Sequence, residues 1–97
     1  MKIYIVKGST GAYSDKVTWL VKAFSDKGKA DLLCRELNEA ADGIQKEFDY
    51  INVSIYYMYE EKYRYIFDKF PKHAEDPFFD MSYTTGTFYN AVECELE

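Results

Sequence analysis

Cysteine, histidine and proline are scarce in this chain, and their scarcity excludes several kinds of protein. Two cysteines in 97 residues are too few for the disulfide framework of a small secreted domain. We therefore expect Cys34 and Cys94 to be buried thiols in a reducing cytoplasm. A structural zinc site needs about four Cys or His ligands, and the chain has only three such residues, far apart in sequence. The apolar runs are too short for a signal peptide or a transmembrane span.

Aromatic residues, by contrast, are abundant. The chain contains ten tyrosines and seven phenylalanines, and its hydrophobic share of 47% is too high for a disordered protein. The length fits one domain, residues 1–97, with a thin core. Because tyrosine combines a large contact area with a polar tip, this surplus favours both a small core and a binding surface.

The net charge of −5 conceals two regions of opposite sign. Residues 1–30 carry six lysines against two aspartates, whereas residues 31–97 carry six basic and fifteen acidic residues. No lysine or arginine follows Lys72. Since phosphate contacts need Lys and Arg, this balance argues against direct nucleic-acid binding and favours a basic protein partner.

The N-terminal part of the chain has the pattern of two paired strands. Alternating β-branched and aromatic residues predict a strand over 2–7, and a second run predicts another over 17–24. The Gly8–Asp15 segment between them is predicted to be a loop. Its Gly8-Ser9-Thr10-Gly11 sequence follows a strand, as phosphate-binding loops do. It lacks their Gly-Lys pair and precedes a strand instead of a helix, so a connecting loop is the better interpretation.

Two helices are predicted in the middle of the chain. Asp26 can cap a helix, and the apolar residues that follow recur at helical spacing, which predicts a helix over 27–48. Residues 50–57 have a strand-like composition, which leaves this segment ambiguous. The broad apolar face over 54–70 nevertheless favours a second helix, which Pro71 would stop.

The C-terminal segment alternates strictly between apolar residues and glutamates. Val92, Cys94 and Leu96 occupy the apolar positions, so this strand should place them on the core and the glutamates in water. Together the elements predict an α+β fold. Its expected architecture is a three-stranded, mainly antiparallel sheet with two helices on one face.

No group of residues in the sequence has the pattern of a catalytic site. A nucleophilic triad needs a histidine grouped with an acid and a nucleophile, and the single histidine, His73, is better explained as a solvated residue. Adjacent carboxylates such as Glu60 and Glu61 are typical of a solvated surface. We therefore predict a protein that is not an enzyme and that carries no cofactor and no metal.

Acidic residues and tyrosines are the candidate binding residues. Carboxylates on the outer side of the first helix can engage a basic partner, and tyrosines are enriched at protein interfaces. The candidates are Asp31, Glu36, Glu39, Asp42 and Glu47 on that helix, Glu75, Asp76 and Asp80 after Pro71, and Tyr57 and Tyr65. The second helix is expected to bury Ile55, Met58 and Ile66 while it presents Tyr57 or Tyr65 outward.

The first half of the chain resembles a small prokaryotic and phage domain of unassigned function. The residues that carry the resemblance are Ile3-Tyr4-Ile5-Val6, Tyr13-Ser14-Asp15 and Ala23-Phe24-Ser25-Asp26-Lys27-Gly28-Lys29-Ala30. The size and acidic charge of the whole chain are also similar to those of phage anti-CRISPR proteins. Some type I-F inhibitors of that kind resemble double-stranded DNA in charge layout and occupy the basic channel for target DNA.

This resemblance implies a non-enzymatic DNA mimic that binds a CRISPR effector complex in the cytoplasm of a bacterial host, as a monomer or a homodimer. Its carboxylates would take the place of phosphates among the partner's lysines and arginines. The alternative is a generic cytosolic protein-interaction module that binds through a tyrosine-rich face. Acidic residues spread over all sides would favour the alternative. A deep cleft lined by His73 and carboxylates would favour an enzyme instead.

Overall fold

The fold consists of one antiparallel sheet and two helices. The computed structural model describes residues 1–11, 16–81 and 86–97. Strands β1 (Lys2–Thr10), β2 (Val17–Phe24) and β3 (Thr87–Glu95) form a sheet of order β2-β1-β3, and the helices are α1 (Lys27–Tyr50) and α2 (Arg64–Asp68). Both neighbours of β1 run antiparallel to it. The prediction of an α+β fold with a three-stranded antiparallel sheet is confirmed.

Strand β1 is longer than the sequence predicted. Gly8, Ser9 and Thr10 pair with both neighbouring strands, so the backbone hydrogen bonds of the sheet extend three residues into the predicted loop. The rest of that loop includes residues 12–15, which lie outside the described residues. A register shift between Val6 and Lys7 marks a bulge in the pairing with β2, and bulges of this kind increase the twist of a strand.

The apolar residues of the C-terminal segment that were predicted to face the core lie on the other side of the sheet, so the prediction is wrong on this point. Tyr89 and Ala91 lie opposite Gly8 and Val6 and pack in the core beneath α1. Because side chains alternate along a strand, the residues between and beyond them, such as Val92, belong to the opposite side of the sheet. Val92, Cys94 and Leu96 are exposed. Cys34 is buried as expected, Cys94 is not, and both are free thiols.

Helix α1 is the element that covers the sheet. The side chain of Asp26 accepts a hydrogen bond from the backbone N–H of Lys29 at 3.2 Å, as the predicted cap requires. The helix runs to Tyr50 without a break at Gly43. A Cβ atom at position 43 would overlap Cε1 of Phe70, so the glycine permits the ring of Phe70 to lie against the helix.

The core has two parts, and α1 contributes to both. Its N-terminal half packs on the sheet. Its C-terminal half, with Ile44 and Phe48, packs against residues between 51 and 81. The fully buried side chains of this second part include Ile55 and Ile66, so the apolar residues of the segment after α1 pack mainly on the end of the helix.

The continuous helix expected over 54–70 is wrong. Residues Ile55–Tyr57 and Glu61–Tyr63 form separate 3-10 turns, only Arg64–Asp68 is α-helical, and a further 3-10 turn spans Pro71–Glu75. Aromatic and β-branched residues dominate the first part of this segment and have poor helix propensity. Short turns bury its apolar residues against α1 without a continuous helix.

Candidate functional site

A buried carboxylate connects the sheet with the loop that follows α2. Asp76 is only 3% exposed, and its Oδ2 accepts hydrogen bonds from Trp19 Nε1 at 2.8 Å and from Tyr89 Oη at 2.7 Å. Its Oδ1 accepts a third from the backbone N–H of Phe78 at 2.9 Å. The expectation that Asp76 belongs to an exposed acidic surface is therefore wrong. Side-chain donors from the two outer strands and one backbone N–H two residues away satisfy this buried carboxylate.

The same contacts fix the protonation of Tyr89. Burial, and next its hydrogen bond to Asp76, raise the pKa of the Tyr89 phenol well above its ordinary value. Tyr89 therefore remains protonated at neutral pH and acts as a donor to the carboxylate. The ring of Trp19 meets that of Tyr89 edge-on, with 6.4 Å between centroids. Trp19 also covers Gly8, where a Cβ atom would lie 2.5 Å from the indole.

Beside Asp76 lies an open pocket of about 410 Å³. Its walls combine aromatic, apolar and charged side chains, namely Met58, Tyr59, Glu60, Arg64, Phe67, His73, Ala74, Asp76, Pro77 and Phe79. Tyr59 is held by a hydrogen bond from its hydroxyl to the carbonyl of Phe79 at 3.0 Å. Sequence reasoning missed this pocket because its walls combine α2 with separate turns and a loop that share no periodic pattern.

His73 is part of this wall and not a fully solvated residue, which corrects the expectation. Its ring centroid lies 5.0 Å from that of Phe67 and 5.3 Å from that of Phe79. Its Nδ1 lies 2.8 Å from the carbonyl oxygen of Phe70. Since a carbonyl only accepts, Nδ1 carries the proton in this contact. The pocket is partly open to solvent.

The carboxylates predicted on α1 are interleaved with lysines. Asp31 pairs with Lys27 at 2.7 Å, Glu36 with Lys72 at 2.7 Å, Asp42 with Lys46 at 2.9 Å, and Glu47 with Lys69 at 3.4 Å. Within the described part of the chain, Glu39 alone of the five has no ion pair. Glu36 and Glu47 face the segment after α2, whereas Glu39 and Asp42 are exposed. The acidic residues of α1 thus do not form one uninterrupted patch.

The two remaining acidic candidates lie beyond α2 and are exposed. Glu75 pairs with Lys72 at 2.9 Å, so this lysine bridges Glu36 and Glu75. These two hydrogen bonds raise the pKa of the Lys72 ammonium. Asp80 accepts a hydrogen bond from the backbone N–H of Met81 at 2.8 Å.

The tyrosines predicted to face outward do so. Tyr57 is 51% and Tyr65 52% exposed, while the predicted apolar anchors Ile55, Met58 and Ile66 are buried. Sequence reasoning missed three further exposed tyrosines. They are Tyr50, Tyr56 and Tyr59, each more exposed than Tyr57. We call Tyr50, Tyr56, Tyr57, Tyr59 and Tyr65 the tyrosine segment.

A second apolar surface lies on the side of the sheet opposite α1. We call it the open sheet face, and it includes Leu20, Phe88 and Val92, all exposed. In the pairing register these residues lie opposite Lys7, Ser9 and Ile5 of β1. The sequence signal for this surface was the alternation of β3, which was correct in period but assigned to the wrong side.

Comparison of the chain with protein-family models, curated proteins and solved structures gives no match. In residues 1–11, 16–81 and 86–97, no three His, Cys, Asp or Glu side chains are grouped so that they could hold a metal ion. Among the helices of those residues, none has the length and apolar character needed to span a membrane.

Proposed function

We propose that this protein is a non-enzymatic binding domain that recognises a basic protein partner through the tyrosine segment. The observation that carries the proposal is the exposure of five tyrosines within residues 50–65, above apolar anchors that are buried. Tyrosine supplies contact area at a low cost in conformational entropy. The buried anchors fix the backbone of the segment after α1 against the helix, which lowers the cost of ordering this segment on binding.

The charges around the tyrosine segment support a basic partner. Asp49, Glu60 and Glu61 are exposed and lie next to or between these tyrosines in sequence, against two basic residues, Lys62 and Arg64. Opposite charges across an interface increase the association rate and exclude acidic competitors. The excess of carboxylates over residues 31–97 adds a longer-range attraction of the same sign.

A DNA-mimicking inhibitor of a CRISPR effector complex is the second candidate. It is the function that the resemblance to type I-F anti-CRISPR proteins implies, and the exposed carboxylates Glu39 and Asp42 support it. Exposed ion pairs such as Asp42–Lys46 are worth only about 0–1 kcal/mol, so a partner's arginine can displace the lysine. The lysines that pair with four of the five carboxylates of α1 favour the tyrosine segment as the main contact.

The experiment that tests the proposal is capture of partners from bacterial lysate at low and high salt. We expect Tyr57→Ser combined with Tyr65→Ser to abolish capture, because both side chains are exposed and removable without loss of the core. Phe88→Ser on the open sheet face is the matched control, because it removes an aromatic residue of similar exposure elsewhere. Unchanged capture by the tyrosine variant would contradict the proposal.

DNA mimicry is tested with a purified type I-F effector complex and its duplex target. If it is correct, the wild-type protein competes with duplex DNA, and Glu39→Lys with Asp42→Lys abolishes that competition while the fold is retained. Competition that survives both reversals excludes these two carboxylates as phosphate mimics. Sedimentation analysis of the protein alone shows whether it self-associates, in which case a second copy competes with the partner for the tyrosine segment or for the carboxylates of α1.

A further inference from the structure

We infer that the pocket beside Asp76 binds a cationic side chain, the guanidinium group of an arginine presented by the protein partner. This inference rests on the proposed function and gives it a chemical anchor. A pocket of about 410 Å³ lies within the usual size range of small-ligand sites, roughly 300–1,000 Å³. It is therefore large enough for a whole arginine side chain.

The aromatic walls suit a guanidinium group. Phe67 and Phe79 meet edge-on with 6.3 Å between ring centroids, and His73 lies against both. The hydroxyl of Tyr59 is tied to the carbonyl of Phe79, which fixes a third aromatic ring at the pocket. A planar guanidinium group stacks on aromatic faces and is more weakly hydrated than an ammonium group, so it loses less on entering such a site.

The charge of the pocket also favours a cation. Asp76 lines the pocket and is buried, yet its three hydrogen-bond donors are the neutral groups of Trp19, Tyr89 and Phe78. No cationic side chain pairs with it among the described residues. An ionised carboxylate has about four acceptor positions, so these donors leave room for one more. A charge in this poorly solvated position attracts an incoming cation more strongly than a carboxylate in water does.

Three other charged groups belong to the same region and decide how strong this preference is. Glu60 lines the pocket and adds a second carboxylate, although Lys62 lies 3.5 Å from it. Arg64 also lines the pocket and opposes a cation. Arg64 is exposed, so water screens its charge, whereas Asp76 is buried and is screened much less. The charges around the pocket therefore favour a cationic ligand. Binding of an anion would contradict this preference, so the test includes an anionic probe.

The inference is tested by titrating the isotope-labelled protein with N-acetyl-arginine methylamide and following backbone amide shifts by NMR. The matched probe is the citrulline analogue, which has nearly the same shape and no charge. We expect shifts around Tyr59, Asp76 and Phe79, with citrulline binding about tenfold more weakly because it lacks a charge-assisted contact. Equal binding of the two probes, or stronger binding of the glutamate analogue, would overturn the inference.

Two variants locate the binding without disturbing the buried network. Tyr59→Leu removes one aromatic wall, and Glu60→Gln removes the exposed carboxylate at the pocket, so both should weaken arginine binding severalfold. Tyr50→Leu, a change of the same type outside the pocket, should leave it unchanged. Equal weakening by Tyr50→Leu, or none by the first two variants, contradicts a site in this pocket.

Failure of this inference can be distinguished from failure of the proposed function. If the arginine probe does not bind, but Tyr57→Ser with Tyr65→Ser still abolishes partner capture, the tyrosine segment is an interface without an arginine anchor. If the probe binds and the tyrosine variant captures partners normally, the pocket is a cation site and the proposed interface is wrong.

Discussion

The indole of Trp19 donates a 2.8 Å hydrogen bond to the carboxylate of Asp76, a residue 57 positions later in the chain. This bond, with the one from Tyr89 to the same oxygen, ties the two outer strands of the sheet to the loop that borders the pocket. A short loop without regular secondary structure is thereby held in a defined position. The network is the main polar connection between the sheet and this wall of the pocket.

We predict that Asp76→Asn destabilises the protein by about 1–3 kcal/mol. The amide keeps the shape of the side chain but loses one acceptor, so a buried donor of Trp19, Tyr89 or Phe78 is left without a partner. Urea denaturation followed by the fluorescence of Trp19, the only tryptophan, measures the free energy of unfolding. The control is Asp80→Asn at an exposed carboxylate, for which we expect a change within about 0.5 kcal/mol. Equal effects of the two substitutions would contradict the importance of the network.

Stability should fall in alkaline solution, and Tyr89 should account for part of the fall. Its folded-state pKa lies above the value of about 10 for an unfolded tyrosine. Above a pH of about 10, the unfolded chain loses the phenolic proton while the native state keeps it, so the free energy of unfolding decreases as pH rises. Below that pH the contribution of Tyr89 is fully present. The test compares wild type with Tyr89→Phe between about pH 8 and pH 11.

We expect the free energy of unfolding of Tyr89→Phe to fall less steeply with rising pH than that of the wild type. That variant should also be less stable at neutral pH, because the carboxylate of Asp76 loses a donor. Parallel slopes for the two proteins would show that the Tyr89 phenol titrates normally. Most of the Tyr59 side chain is exposed, but desolvation of its hydroxyl against the carbonyl of Phe79 raises the pKa of its phenol. Burial likewise raises the pKa of the Cys34 thiol, so some pH dependence should remain in the variant.

The two cysteines should differ sharply in reactivity in the native protein. Cys94 is exposed at the end of β3, whereas Cys34 is buried on α1 and burial raises its pKa, which lowers the share of reactive thiolate. We expect a thiol reagent to modify Cys94 rapidly and Cys34 only after unfolding. Mass spectrometry of native and urea-treated protein counts the labels. Rapid modification of native Cys94→Ser protein would contradict the burial of Cys34.

Substitution of Gly43 by alanine should destabilise the protein, although alanine has the higher helix propensity. The propensity gain is about 1 kcal/mol, but the new methyl group collides with the ring of Phe70, and overpacking costs about 1–3 kcal/mol. Thermal unfolding measures the balance. Adding Phe70→Leu should reverse part of the effect in Gly43→Ala by making room for the methyl group. If Gly43→Ala is stabilising, the ring of Phe70 can move away without a loss of stability, and the prediction is wrong.

Local patterns in the sequence were sufficient for the elements whose stability is mainly local. The alternation of β-branched residues predicted β1 and β2, and the Asp26 cap with its apolar spacing predicted α1 almost to its last residue. In these cases the period of the pattern and the residue types decide the outcome. Tyr57 and Tyr65 also face outward above buried Ile55, Met58 and Ile66 as predicted, although the continuous helix on which that prediction rested is wrong.

Only the tertiary structure decided which surfaces those elements bury. A period of two shows that β3 has two different faces, but the helix above Tyr89 and Ala91 determines which face is covered, so Val92 lies outside. A charged residue in a loop is expected to be solvated, yet donors from Trp19 and Tyr89 bury Asp76. The turns over 55–63 replace a continuous helix because docking on the end of α1 outweighs local periodicity. Contacts between residues far apart in sequence determine burial, and no local pattern contains them.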